Sequence, residues 1–230
     1  MSVTALLGAP AGVGVASGLG VVPAEAAKVL PVPAELGAVL PWGGLRRGST
    51  VAVRGGMTLL LALLAEATAS GSWAGVVGLP DLGVQAADEL GVAVDRLALV
   101  PRPGSQAAAV VAALLDGMDL VVVAAGECGD AQARRLSARA RHRGAVLLPY
   151  GPWPGADLEL RAEPGGWTGL GPRHGYLRQR PVMVRARGRG VAARPATARL
   201  LLPGPGGAVR PARPPVERLA EPRERPSLVG

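Results

Sequence analysis

A short β-like run, a Gly-Gly turn and a long apolar helix follow one another at residues 50–65, which read TVAVRGGMTLLLALLA. This order is the frame of a phosphate-binding loop. The working motif, G-x-x-x-x-G-K-[ST], wraps backbone N–H groups around the phosphates and adds a lysine. Here residues 54–58 are all that separate strand from helix, and Lys28 is the only lysine of the chain. The sequence therefore predicts a nucleotide-binding scaffold without its loop. The degenerate loop position comprises Gly55, Gly56, Met57 and Thr58.

Composition predicts a globular chain with one sizeable domain. Of its 230 residues 49% are apolar, and Ala, Val and Leu carry this content. Aromatic residues make up only 3%, and Phe is absent. A platform that stacks single-stranded bases needs exposed rings, so this scarcity argues against one.

Metal, disulfide and membrane features are not predicted. Cys128 is the only cysteine, and the spacing of His142 and His174 fits no familiar zinc site. No apolar run approaches the roughly 18–20 residues of a membrane span. Residues 1–30 have no basic residue before Lys28 and are broken by glycines, so we interpret them as a flexible leader rather than a secretory signal. We expect a soluble cytoplasmic protein without a cofactor, associated with the nucleoid if it binds DNA.

Positive charge is concentrated in one segment. Residues 161–199 hold nine arginines against the single acid Glu163, an excess equal to the net charge of +8 of the whole chain. This predicts an acidic partner, either nucleic acid or an acidic protein surface, although a GC-rich coding bias is an alternative explanation. Residues 185, 187 and 189 alternate and would share one face of a strand. The candidate contacts to DNA or a partner are Arg173, Arg178, Arg180, Arg185, Arg187 and Arg189.

Between residues 50 and 150 strand-like and helix-like patterns alternate. Residues 119–125 form a continuous apolar run after an initial Asp, typical of a strand buried on both faces. The alternation predicts an α/β fold with a mostly parallel central sheet. Predicted strands are 50–54, 73–78, 97–101, 119–125 and 145–150, and predicted helices are 58–70, 83–90, 105–118 and 130–143.

The pattern changes after residue 156. Segments 157–162, 166–170, 180–187 and 198–202 alternate in polarity between Gly/Pro turns, which predicts an antiparallel extension of the same sheet on its C-terminal side. Residues 203–230 hold seven prolines and five arginines, and we expect a disordered tail that orders on a partner. The predicted organisation is a leader at 1–30, a core at 31–202 with its antiparallel region at 157–202, and a tail at 203–230.

Several phrases resemble the RecA/RadA ATPase core. LGAVLPWGGLRRGSTVAVRGG resembles the approach to the RecA phosphate loop, and LGVAVDRLALV a phrase between the second core helix and the next strand. DLVVVAA resembles the Walker B strand, and VMVRARGRGVAARPATARLLLPG the closing β-hairpin. The resemblance covers residues 31–204 and implies a RecA-like three-layer core.

Carried over position by position, the resemblance implies that the catalytic parts are absent. The phosphate loop lacks its glycine-lysine half, and the Walker B carboxylate falls on Ala124. The acid that would activate water falls near Pro80, with Asp81 open as a shifted substitute. The counterparts of the two DNA-gripping loops are short, at 125–129 and 151–155. No catalytic residue is predicted, and we expect a pseudo-ATPase rather than an enzyme.

A degenerate RecA core with a Pro/Arg-rich tail is similar to ImuA-type proteins, especially the actinobacterial ImuA-prime branch. That resemblance implies an accessory protein of the damage-induced translesion-synthesis mutasome. Its partners would be an ImuB-like inactive Y-family polymerase and, through it, an error-prone C-family DNA polymerase. The resemblance places the interface with the ImuB-like partner after about Val191.

Two other functions stay open on the residues alone. A divergent ATPase would use Gly55, Gly56 and Thr58 with an arginine in place of the lysine, although Arg54 lies on the wrong side of the glycines. A basic DNA-binding module would contact phosphates through the arginines named above, and its affinity would fall steeply with salt.

Overall fold

The computed structural model describes residues 28–170 and 175–212. The first 27 residues of the predicted leader, and the predicted tail beyond residue 212, lie outside these ranges. The helices are α1 (Ala34–Gly37), α2 (Met57–Ala69), α3 (Val84–Glu89), α4 (Ala107–Leu114) and α5 (Asp130–Arg143). The strands are β1 (Val29–Leu30), β2 (Leu45–Arg46), β3 (Val51–Arg54), β4 (Ala74–Val77), β5 (Leu97–Val100), β6 (Leu120–Ala124), β7 (Val146–Tyr150), β8 (Leu158–Pro164), β9 (Thr168–Leu170), β10 (Gly175–Gln179), β11 (Pro181–Gly188), β12 (Ala196–Leu201) and β13 (Arg210–Pro211).

Nine strands form one mixed sheet in the order β13-β12-β11-β8-β3-β7-β6-β4-β5. The five pairings from β8 to β5 are parallel, and the three from β13 to β8 are antiparallel. This confirms the predicted α/β fold with a mostly parallel sheet and an antiparallel C-terminal side. The segment at 157–162 was predicted to be antiparallel throughout, but β8 pairs in parallel with β3 and antiparallel only with β11. It is therefore the strand at which the sheet changes direction.

Alternate residues of the parallel strands face two separate apolar layers. Val51, Val53 and Val122 pack into the layer that holds α1 and α2, whereas Ala52 and Val121 pack into the layer that holds α4 and α5. Strands buried on both faces need no polar side, which explains the unbroken apolar run at 120–123. The parallel half is thus a sheet between two helical layers.

Helix α2 is the central element of one layer. Its sequence of Leu and Ala favours a helix, and nine of its 13 residues are buried, from Leu59 to Thr68. The Thr68 hydroxyl donates to the carbonyl of Leu64 at 2.9 Å and accepts a hydrogen bond from the Ala93 amide at 3.0 Å. These bonds tie the end of α2 to the segment that leads into β5.

The predicted tail begins too early. Residues 203–212 pack on the core, because Val209 is buried in the same layer as α2 and β13 pairs with β12. A Cβ at Gly207 would overlap the carbonyl oxygen of Glu89, so the chain at this point lies directly on the backbone of α3. The prolines and glycines of this segment form a tight turn that packs on the core.

One predicted strand belongs to a different sheet. The segment at 166–170 was expected in the antiparallel extension, but β9 pairs with β10 in a separate two-stranded hairpin. Sequence periodicity cannot distinguish these outcomes, because both sheets use the same alternation. Within the described residues, no helix is both long and apolar enough to cross a membrane.

Candidate functional site

The junction between β3 and α2 is the position of the degenerate phosphate loop. Gly56 caps α2 with an extended backbone, and the helix begins at Met57. Gly56-Met57-Thr58 therefore stands where the motif places Gly-Lys-Thr at the start of its helix. In this register the residues that the motif still requires would lie between Gly55 and Gly56. Met57 occupies the position of the lysine.

This junction is closed by the neighbouring strand. Gly55 has φ +88°, and a Cβ on it would overlap the carbonyl oxygen of Ala162 in β8. The cavity beside Gly55, Gly56 and Thr58 measures about 20 Å³, roughly the space of one water molecule. Arg180 reaches this cavity from the segment between β10 and β11. The space between the two glycines and β8 is too small for a phosphate group, whereas Met57 and Thr58 at the start of α2 also border a larger cleft.

The carboxyl ends of β4 and β6 carry few acids. Ala124, the predicted position of the lost Walker B carboxylate, is half-buried at the end of β6. Glu127 follows it in a short 3-10 turn, and its side chain lies against Gly78 after β4. Sequence reasoning missed Glu127, although its place just beyond the carboxyl end of a parallel strand is a usable signal. Asp81 is exposed and lies farther out, at the rim of a cleft.

That cleft has a volume of about 770 Å³. Its floor is apolar and comes from α2 and the end of α3, through Met57, Leu61 and Leu90. Asp81 and Glu89 supply acidic groups on one side. The turn at 203–207 closes one end, where Gly207 meets the backbone of α3.

The β9–β10 hairpin forms the opposite wall of the cleft. Trp167 is 40% exposed, Leu177 53% and Tyr176 80%, so three large apolar or aromatic side chains are concentrated on and just before this hairpin. The guanidinium of Arg180 lies 5.3 Å from the ring centroid of Trp167 and donates to the carbonyl of Gly165. Arg178 lines the cleft beside Leu177. Exposed Trp and Tyr together with Arg are typical of interaction hot spots.

A second surface lies on the opposite side of the sheet. The register of β3, β8, β11 and β12 places five arginines and two glutamates on the face away from α2. Helices α4 and α5 cover only the parallel half of this side, as their apolar layer contains no residue of β8, β11 or β12. We call this surface the arginine face; it comprises Arg54, Glu159, Arg161, Glu163, Arg185, Arg187 and Arg199.

Two ion pairs neutralise part of the arginine face. Arg54 lies 3.5 Å from Glu159, and Arg185 lies 3.3 Å from Glu163. Arg161, Arg187 and Arg199 are exposed and make no ion pair with any other described residue. The face therefore keeps three arginines for an external anion.

The six arginines predicted from the sequence do not form one group. Arg185 and Arg187 share the arginine face, and Arg189 is exposed just beyond the end of β11. Arg178 and Arg180 lie on the other side of the sheet, at the cleft and the closed junction. Arg173 lies outside the described residues. Sequence alternation identified one shared face, but it could not separate the two sides of the sheet.

The surroundings of Cys128 do not activate its thiol. Burial raises the pKa of the Cys128 thiol, and the charge of Glu127 adds to this effect. A raised pKa keeps the thiol protonated and disfavours nucleophilic chemistry. Within the described ranges, no group of three or more His, Cys, Asp or Glu side chains is arranged to hold a metal ion.

The fold defines a mixed α/β protein with a mostly parallel central sheet, in which β8 lies directly against the turn between β3 and α2. The chain belongs to the family of the MT3502 N-terminal domain, whose model matches residues 38–155. It is also 41% identical over 145 residues to the Uncharacterized protein Rv3395c of Mycobacterium tuberculosis; the match covers 61% of this chain and 71% of that relative. The matched family domain ends before β8, so the arginine face and the hairpin wall of the cleft lie largely outside it.

Proposed function

We propose that this protein is a non-catalytic adaptor with a RecA-like core, which acts in a translesion-synthesis mutasome and binds an ImuB-like inactive Y-family polymerase. Through that partner it would bring in an error-prone C-family polymerase. The observation that carries the proposal is the closed β3–α2 junction. The core retains the strand, turn and helix of a phosphate-binding loop, but Gly55 lies against Ala162 and Met57 stands in place of the lysine. Such a core is suited to binding macromolecules rather than nucleotide.

Two further observations support this proposal. The similarity to a mycobacterial protein is consistent with membership of the actinobacterial branch of the ImuA-type proteins. The position of the degenerate junction, on the central strand β3 of a mostly parallel sheet, agrees with a core descended from a nucleotide-binding fold.

The partner interface is proposed at the β12 edge and the chain that follows it. On its outer edge β12 pairs with β13 at Leu200 and Leu201, and the Ala212 amide donates to the carbonyl of Arg199. Within the described residues no strand continues this pairing toward Ala196. The backbone groups of Thr197 face the same edge as those of Arg199, so they are available to an added strand of the partner.

Nucleotide binding tests the adaptor proposal directly. Titration of the full chain with Mg²⁺·ATP in a calorimeter is expected to give no binding at millimolar nucleotide. Met57→Lys is expected to give none either, because the residues between the glycines are still missing. Micromolar binding that is abolished by Thr58→Ala would overturn the proposal in favour of a divergent ATPase.

Partner capture tests the interface. Thr197→Pro removes the outward N–H of β12 and leaves its ladder with β11 in place, whereas Thr197→Val keeps the N–H. We expect at least tenfold weaker capture of the ImuB-like polymerase by Thr197→Pro or by a chain that ends at Ala212, and unchanged capture by Thr197→Val. Equal capture by all four chains would reject this interface.

The arginine face favours DNA binding as a second function. Arginines two apart on a strand are spaced about 7 Å, and three of those on this face have no internal ion pair. A triple variant, Arg161→Gln with Arg187→Gln and Arg199→Gln, is expected to weaken binding to DNA at least tenfold and to lower its salt dependence. Arg102→Gln with Arg134→Gln and Arg135→Gln, at three exposed arginines away from this face, is the charge-matched control. Binding that is equally strong in both variants would assign DNA contact elsewhere.

A further inference from the structure

The cleft between α2, α3 and the β9–β10 hairpin has an apolar lining that the described residues leave open. Met57, Leu61 and Leu90 form its floor, and Trp167 and Leu177 stand exposed on its wall. Exposed side chains of this size, clustered beside an apolar floor, are typical of a surface that is covered by another chain segment.

The charges of the cleft constrain that segment. Asp81 and Glu89 lie on the α3 side, and Arg178 lies on the hairpin side. A complementary segment would carry apolar side chains for the floor, one base for the acidic side and one acid for Arg178. Such a segment differs from a phosphate backbone, which the two carboxylates would repel.

The chain itself contains a segment of this chemistry directly after the described residues. Residues 216–219 read Val-Glu-Arg-Leu and combine two apolar side chains with one acid and one base. They follow two prolines, 214 and 215, which have no N–H to donate to a strand.

Chain length allows this segment to reach the cleft. Gly207 lines the cleft and lies five residues before Ala212, so the two α-carbons are at most about 19 Å apart. An extended chain from Ala212 reaches about 13–14 Å at Val216 and about 23–25 Å at Leu219. Ala212 borders a surface groove with Glu163 and Arg199 on the side of the sheet away from the cleft, so the segment would pass around the β13 edge to enter the cleft. A segment tethered this closely has an effective concentration in the millimolar range.

We infer that the cleft is a docking site for the chain's own residues 216–219, with Val216 and Leu219 on the apolar floor, Glu217 toward Arg178, and Arg218 toward Asp81 and Glu89. This goes beyond the adaptor function. A docked segment would be withheld from other partners until it is displaced.

Hydrogen exchange on the full-length chain tests this inference. Val216→Asp with Leu219→Asp is expected to speed amide exchange in peptides covering 57–61 and 176–179 at least fivefold, whereas Leu228→Asp is the control and should not change it. Equal exchange in wild type and both variants would overturn the inference. Protection that rises with protein concentration would assign the segment to a second copy and would overturn docking within one chain.

A free peptide of residues 213–222 supplies the second measurement. It is expected to bind the Val216→Asp, Leu219→Asp chain at least tenfold more tightly than wild type, in which the cleft is already occupied. Adding Leu177→Asp to that chain should abolish binding. Absence of peptide binding, or equal affinity for both chains, would overturn the inference. No polymerase or nucleotide is present in either experiment, so failure here leaves the adaptor proposal to its own tests.

Discussion

The backbone of Gly55 lies against the carbonyl oxygen of Ala162, so closely that a Cβ on Gly55 would overlap it. Gly55 also has φ +88°, a conformation that other residues rarely adopt. Two independent reasons therefore require glycine at the turn that closes the phosphate-loop position.

Gly55→Ala is expected to lower the free energy of unfolding by about 2–4 kcal/mol, because it adds a steric overlap to an unfavourable φ. Chemical denaturation measures this change. Gly117→Ala is the control, since a Cβ there meets no atom within 4 Å, and it should stay within about 0.5 kcal/mol of wild type. Similar stabilities of the two variants would contradict the closed junction.

Ser137 accepts a hydrogen bond from the indole N–H of Trp153 at 2.9 Å, and both side chains are buried. Ser137→Ala leaves that N–H without its partner and is expected to cost about 1–3 kcal/mol in the free energy of unfolding. Ser105→Ala, at an exposed serine, is expected to change it by less than about 0.5 kcal/mol. An unchanged stability of Ser137→Ala would show that the indole finds another acceptor.

Asp116 accepts hydrogen bonds from Arg139 and from Arg143, the latter at 2.9 Å. The bond from Arg139 is the main reason that the pKa of the Asp116 carboxyl lies below its ordinary value. A lowered carboxyl pKa stabilises the fold above the unfolded-state pKa, and this contribution is lost as the pH falls through the folded-state pKa.

Arg139→Gln is therefore expected to raise the pKa of Asp116 toward its ordinary value, as measured by NMR titration of the carboxyl carbon. It should also reduce the loss of folding stability that occurs when the pH falls from neutral to below about 4. Arg135→Gln on the same helix should leave the pKa of Asp116 in place. A pKa that is insensitive to Arg139→Gln would assign the shift to another group.

Val209 tests whether residues 203–212 belong to the core. Its side chain is 7% exposed, so Val209→Asp buries a carboxylate without a partner and is expected to cost about 3 kcal/mol or more. Arg210→Ser, at the exposed neighbouring position, should change stability by less than about 0.5 kcal/mol. If Val209→Asp left the free energy of unfolding unchanged, residues 203–212 would belong to the tail, as the sequence predicted.

Much of the parallel half was predictable from local patterns. The apolar run that ends in Val121, Val122 and Val123 can only be a strand buried on both faces, and the Leu/Ala run of α2 can only be a buried helix. Glycines such as Gly71 and Gly91 mark where helices end. Element boundaries in this half follow from the short-range chemistry of each segment.

The candidate sites depended on long-range contacts that no local pattern encodes. The sequence places Arg178, Arg180 and Arg185 within eight residues, yet a turn between β10 and β11 sends them to different sides of the sheet. The scarcity of aromatic residues argued against a base-stacking platform, yet it could not predict that Trp167 and Tyr176 are both exposed on and beside the β9–β10 hairpin. Composition counts residues and cannot assign them positions.

What the sequence determined alone is the set of elements between residues 50 and 150, their order and the absence of a lysine from the β3–α2 junction, because each depends on neighbouring residues. Only the tertiary structure decided that β8 closes this junction, that residues 203–212 cover α3, and that a cleft opens between them and the hairpin. The contacts of Gly55 with Ala162 and of Gly207 with Glu89 join segments about 100 residues apart or more, and they follow from strand order and register rather than from any local preference.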